Sequence, residues 1–375
     1  MKNLRKVIIV HTHLTWNRTP VFEYIAKNID LTVLSTRSTS TTKQKYNFYH
    51  IELFQKNYLD FLKNSVILFA QIIKGKYNVI IWADTIFRLE LLFLMLIKKF
   101  IGKIVIWADI WDWKKSLIRR IIEPYAIFIF RKSDKIITHG RKHYKYFRKI
   151  GLPKHKITII RNSSLLNIDE EKINKAKELK EKYAGNNKVI LYAGRLVERK
   201  GVEYLIKAFK LLVEEINNVE LWIIGDGPLN KKLIYLSKEL GLKEKCKFFG
   251  WKSHNEITLY MLACDVFVLP AINHDKEGAE PWGLVVNEAL WASRPVVVTD
   301  AVGCSEDLVL NGYNGYIIKE KDIVALKNAL KDILADENKL IQFKSNAYRI
   351  IKNYTYENMA KDILNVIITN LFSKL

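Results

Sequence analysis

Residues Glu277 to Trp291 read EGAEPWGLVVNEALW and place carboxylates at Glu280 and Glu288, eight positions apart around a Pro and a Gly. From Leu284 to Trp291 only Asn287 and Glu288 are polar. A buried carboxylate costs several kcal/mol unless something hydrogen-bonds it. Two kinds of partner fit: an Arg or Lys in a structural ion pair, or two vicinal ribose hydroxyls facing the two carboxylate oxygens. Pro281 suits the start of a helix and Gly283 allows close backbone approach, which predicts a helix from about Leu284 to Ala292. Glu280, at its mouth, would reach a different part of the same ligand.

A second stretch, LYAGRLVERKGVEYLIKAF from Leu191 to Phe209, supplies the opposite charge. A strand ends at Ala193, Gly194 permits a tight turn, and Arg195 and Lys200 precede a helix beginning near Gly201. Two cations beside a helix N-terminus suit a diphosphate, Arg as a fork and Lys as a point charge. An ordinary exposed turn of a basic protein would look the same. The GDGP of WIIGDGPLNKKL has Asn230 where a dinucleotide motif has its third glycine, so a structural turn is the better reading. There is no GxxxxGK[ST] run and no DxD triplet.

These residues need strand ends and helix starts to carry them. Short β-branched runs alternate with helical segments. Strands are expected at Lys6–Val10, Leu31–Ser35, Val79–Trp82, Ile104–Trp107, Lys135–Thr138 and Ile157–Ile160. Helices are expected at Phe22–Asn28, Leu89–Phe100, Ser116–Phe130 and Tyr144–Ile150. The pattern breaks at Asn162, where polar turn formers lead into a charged helix that reads as an inter-domain connection. A second series follows at Val189–Ala193, Glu220–Ile224, Lys247–Phe249, Val266–Pro270 and Pro295–Thr299. This is an α/β pattern of two doubly wound parallel-sheet domains, residues 1–165 and 166–354, with a terminal helix at about 355–375 packing back on the first. Ligands of such sheets sit at the carboxyl ends of the strands, and the inter-domain cleft is the natural active site.

The chain's 375 residues exceed one ordinary core, and 49% hydrophobic with 27% charged residues fits a folded protein. Cys246, Cys264 and Cys304 lack metal-binding or disulfide-framework spacing. The early run VIIV is too short for a signal-peptide core, and Leu91–Ile97 is too short to span a bilayer. A cytoplasmic protein, soluble or peripheral, is expected. The net charge is +22, and Lys98 to Arg161 holds 18 Lys and Arg against Asp109, Asp112, Glu123 and Asp134. Trp107, Trp111, Trp113, Tyr125, Phe128 and other aromatics interleave them, a composition suited to an anionic membrane surface. A solvated basic face is the plainer alternative. No nucleic-acid module is recognisable, so no nucleic acid is expected.

EPWGLVVNEAL, GRLVERKG, GDGP, FFGWKS, ACDVFVLP and VVTDAVGCSEDLVLNGYNGYII occur in the order used by retaining glycosyltransferases of the GT-B fold, and the chain resembles glycosyltransferase family 4 in particular. The match is strong from Val189 to about Ile318 and loose in the first half. The resemblance implies two Rossmann-like domains facing across a cleft and a nucleotide-sugar donor. Arg195 and Lys200 would bind its diphosphate and stabilise the leaving group, and Glu288 its ribose. Glu280 would touch the transferred sugar, assisted by backbone N–H groups around Gly283, Leu284 and Val285. Gly194 would shape the first turn, and Phe249–Lys252, with Gly250, would flank the base. No cofactor or metal is expected. The first half departs from the pattern: HTHLTWNRTP replaces a glycine-rich loop, and Ala108 and Asp109 stand where many relatives carry a His near the sugar. Asp109 becomes the candidate polar group there, with helix capping as its alternative and His13 as a second candidate. A lipid-linked or glycan acceptor in cell-surface polysaccharide or glycolipid assembly is expected. A soluble sugar-phosphate acceptor and a non-catalytic GT-B subunit are the alternatives.

Overall fold

Val7, Ile8, Ile9 and Val10 are all fully buried, and a strand apolar on both faces must be covered on both. They lie in β1 (Lys6–His11), at the middle of the first of two parallel sheets in the computed structural model, which describes residues 6–36, 46–53, 58–112, 117–275 and 277–371. The chain divides into two compact units, Met1–Ser163 with Thr355–Leu375, and Ser164–Tyr354.

In the first unit the other strands are β2 (Asp30–Ser35), β3 (Tyr49–Glu52), β4 (Val79–Ala83), β5 (Lys103–Trp107), β6 (Lys135–His139) and β7 (Ile157–Ile160). Their order is β3-β2-β1-β4-β5-β6-β7, with every pairing parallel. The winding reverses between β1 and β4, the switch point at which such sheets open a ligand crevice. The helix Tyr356–Leu371 returns to this unit: it packs on the helix Thr19–Ala26 and buries Met359, Ala360, Ile363 and Ile367. Arg161 fixes it by donating its backbone N–H and its guanidinium to Asp362, at 3.1 and 2.9 Å.

The second unit repeats the winding with β8 (Lys188–Ala193), β9 (Val219–Ile224), β10 (Cys246–Gly250), β11 (Val266–Leu269), β12 (Val296–Thr299) and β13 (Gly315–Ile318), ordered β10-β9-β8-β11-β12-β13 and all parallel. Its switch point falls between β8 and β11.

No expectation from the sequence covered β3, β13 or, among the helices, Tyr58–Gly75, Asn230–Glu239, His254–Ala263, Ser305–Leu308, Ile323–Leu334 and Glu337–Ile351. The charged segment is the expected helix, Glu170–Ala184, capped by Asp169; it belongs to the second unit, packs on the helix His254–Ala263 and puts Ala176 and Ala184 in the second core. Trp113 and Ser116 lie outside the described residues.

Candidate functional site

At the end of β8 the chain turns through Gly194 and Arg195 into a short 3-10 turn, Glu198–Lys200, and then the helix Val202–Val213. Lys200 is buried there, and so is its neighbour Arg199, while Arg195 is exposed. Gly225, the first glycine of GDGP, has φ +132, and a Cβ on it would stand 1.8 Å from the Gly194 carbonyl oxygen. Its N–H donates to the Gly250 carbonyl at 2.8 Å. GDGP is therefore a structural turn that locks the ends of β8, β9 and β10 together.

Glu280 reaches this loop from the segment after β11. Its backbone is held by Ala301 and Gly303, at 3.0 Å on each side. Its Oε2 accepts from Lys200 Nζ at 2.7 Å and from Arg199 Nη1 at 2.5 Å. Arg199 Nε also donates to Glu277 at 3.3 Å. Burial acts to raise the Glu280 carboxyl, but the pull of Lys200 and Arg199 outweighs it and holds it below the usual range. Burial lowers Lys200, and the nearby Arg199 and Arg195 add to that against the attraction of Glu280. Two buried cations share one buried carboxylate, and Arg195 adds a third positive charge at the rim.

The helix Leu284–Trp291 begins at Gly283, whose φ of +96 a side chain would strain and whose Cβ would stand 2.9 Å from Leu269. Pro281 stays exposed outside the helix rather than in its first turn, because Gly283 makes the turn. The N–H groups of Leu284 and Val285 are the first two of the helix, so no intrahelical carbonyl can receive them. Glu288, one turn on, is buried. Ser164 donates its hydroxyl to Glu288 Oε1 at 2.7 Å, and His254 Nε2 stands 3.6 Å from the same atom. The cation that a structural ion pair would need is thus replaced by a hydroxyl and an imidazole. Asn287 has its own task, accepting from Trp282 Nε1 at 2.9 Å.

The structure therefore brings Arg195, Lys200 and Glu280 into one loop cluster and seats Glu288 on the adjoining helix. Arg199, Ser164 and His254 escaped the sequence reading. Arg199 sits beside Lys200 in the same motif, and Ser164 lies in a run of polar turn formers. Of Phe249–Lys252, Phe249 turns inward against Tyr183, Trp222 and Tyr260, with ring centroids 5.0 to 5.3 Å apart, while Trp251 is 72% exposed.

The first unit has its own polar cluster at the carboxyl ends of its strands. His139, at the end of β6, is fully buried, and its Nδ1 stands 3.2 Å from the Ile160 carbonyl. Nδ1 therefore carries the proton, and Nε2 accepts from Trp107 Nε1 at 3.1 Å. Asp109 Oδ1 lies 3.5 Å from that Nε2. Asp109 does not cap a described helix. Its side chain is 35% exposed with Oδ1 covered, and burial raises its carboxyl against the opposing pull of His143, Arg18 and His11. Arg18 is buried over the Trp107 ring at 5.1 Å. Burial, reinforced by Arg18, lowers His11 to about 4. His13 lies in the loop after β1, its N–H 3.3 Å from His11 Nδ1.

Two sheets wound in the same Rossmann-like order, the second carrying the cation loop and its glutamates, have the GT-B fold. HepE of Anabaena, solved with UDP, superposes with a TM-score of 0.78 at 19% identity, covering 98% of this chain and 100% of that one. Residues 173–350 match the family model described as "Glycosyl transferases group 1", and the second unit belongs to that family. The uncharacterized glycosyltransferase MJ1607 of Methanocaldococcus jannaschii is 31% identical over 198 residues, 52% of this chain and 48% of that protein. An Escherichia coli UDP-Gal:alpha-D-GlcNAc-diphosphoundecaprenol alpha-1,3-galactosyltransferase is 27% identical over 70% of this chain and 67% of its own length. The chain thus spans about half to two-thirds of these curated relatives.

Proposed function

We propose that the protein moves a sugar from a nucleotide-sugar donor to a lipid-linked or glycan acceptor in cell-surface polysaccharide or glycolipid assembly, with retention at the anomeric carbon. The observation that carries this reading is the Glu280–Lys200–Arg199 cluster beside a helix whose buried Glu288 is held by Ser164 rather than by a cation. A carboxylate so held keeps acceptor capacity at Oε2 for ribose hydroxyls. Arg195 and Lys200 meet the diphosphate, Glu280 meets the transferred sugar, and the Leu284 and Val285 N–H groups add positive potential at the helix end. The surroundings of Gly250, with Trp251 exposed, take the base.

In the reaction the bond from C1 to the diphosphate oxygen breaks and a bond from C1 to the acceptor oxygen forms on the same face. The acceptor's proton passes to the departing phosphate oxygen. The cations carry the charge that develops on the diphosphate, so turnover needs no added metal. Support for the donor and acceptor classes comes from the UDP bound to HepE, from a relative named for a diphosphoundecaprenol-linked substrate and from one named for capsular polysaccharide biosynthesis. Peripheral association with the inner face of the cell membrane follows from such an acceptor.

The test is to incubate the protein with UDP- and GDP-sugars in EDTA, with and without membrane extract. Nucleotide release and glycan labelling that require the extract are expected. Absence of both across the donor panel would leave a non-catalytic binding subunit. Transfer to soluble sugar phosphates alone would remove the lipid-linked acceptor.

A further inference from the structure

The helix Leu89–Leu96 has two apolar stripes, and the fold uses only one. Leu91, Leu94 and Met95 face the first core, with Glu90 buried beside them on Arg88 at 2.6 Å. On the other side Leu89, Phe93 and Leu96 are 65%, 55% and 63% exposed, and Phe100, in the following 3-10 turn, is 77% exposed. Spacings of four and three residues put Leu89, Phe93 and Leu96 on one face of the helix, and Phe100 follows in the next turn. The helices Tyr58–Gly75 and Leu117–Lys132 flank it and expose Val66, Ile73 and Ile121. Three large exposed apolar side chains on one helix face, with Phe100 exposed in the turn that follows, mark a contact surface rather than scattered surface residues.

Its rim is basic. Lys99 is exposed and lies 4.8 Å from the Phe100 ring centroid. Lys98 and Lys103 flank the same turn at 3.0 and 3.5 Å from Asp134, one carboxylate between two cations. No described helix is long and apolar enough to cross a membrane. A second copy of a chain carrying +22 would bring like charges together at this face. A surface of anionic lipid supplies opposite charge and an apolar layer to receive the side chains.

We propose that Leu89, Phe93, Leu96 and Phe100 enter the headgroup–acyl boundary of an anionic bilayer, with Lys98, Lys99 and Lys103 against the lipid headgroups. The inference deepens the lipid-linked acceptor reading by naming the surface that meets the membrane, and it is independent of the donor assignment.

Vesicles of phosphatidylcholine with about one-third phosphatidylglycerol, against pure phosphatidylcholine, test it by co-sedimentation at low and raised salt. Binding should need the anionic lipid and weaken with salt. The variant L89S/F93S/L96S/F100S should bind about 10-fold or more weakly, having lost its apolar burial. The native cysteines are buried, so Leu96→Cys offers one accessible thiol, and an environment-sensitive label there should shift to the blue on anionic vesicles. UDP-induced thermal stabilisation, measured on the same samples, should be alike in wild type and variant. That readout separates a misfolded variant or a wrong donor assignment from a wrong membrane surface. Equal vesicle binding by the variant, no binding by wild type, or a wild-type dimer that the variant converts to monomer would each overturn the proposal.

Discussion

Lys200 and Arg199 converge on a single oxygen of Glu280, from 2.7 and 2.5 Å. Removing one partner of a buried ion pair costs about 3–5 kcal/mol because the other charge is left uncompensated. Glu280→Ala strands two cations at once and should lower the denaturation midpoint by a corresponding amount. Turnover should fall about 100-fold while nucleotide still stabilises the protein. Adding Arg199→Ala to Glu280→Ala should restore part of the stability, and a double-mutant cycle by chemical denaturation reads that coupling.

Glu288→Ala should abolish the thermal shift produced by free nucleotide, since it removes the proposed ribose contact. Ser164→Ala leaves the carboxylate in place but takes away one donor worth about 1 kcal/mol, so nucleotide should bind roughly fivefold more weakly. An unchanged shift in Glu288→Ala would place the ribose elsewhere.

Gly225→Ala should be the most damaging single methyl in the second unit. The new Cβ would stand 1.8 Å from the Gly194 oxygen, on a backbone with φ +132. A loss above about 3 kcal/mol is expected, in the range of overpacking plus backbone strain. Urea unfolding measures it, and nucleotide affinity should fall as well because Gly194 precedes Arg195.

Acid should destabilise the first unit through His11. Its folded pKa is about 4 against an ordinary 6.5, so the unfolded chain binds the proton more tightly. Stability is full above pH 6.5 and declines as pH falls towards 4, by at most about 3 kcal/mol from this group. His11→Asn should flatten that part of the pH–midpoint curve. Glu280, held low by its cations, loses its contribution only at more acid pH, so the two can be separated.

The buried strands were legible because they are continuous β-branched runs. β13 was not, because GYNGYII hides a four-residue strand behind turn formers, and β3 (YHIE) is short and half polar. The glutamates and cations could be found by type and spacing. Their pairing could not, since Lys200 and Glu280 stand 80 positions apart and only the fold joins them. The same holds for Ser164 and Glu288, 124 positions apart. For Leu89–Leu96 periodicity records apolar residues without saying which stripe is buried, and here both stripes are apolar.

The ion pair between Arg161 and Asp362 spans 201 residues and closes the first unit over a helix made after all of the second. During synthesis the second unit can complete its sheet while the first still lacks a layer over Val21, Phe22 and Ile25. The order of maturation is then the reverse of the order of translation. A chain truncated just before Tyr356 should keep a protease-resistant second unit and show a protease-sensitive first one.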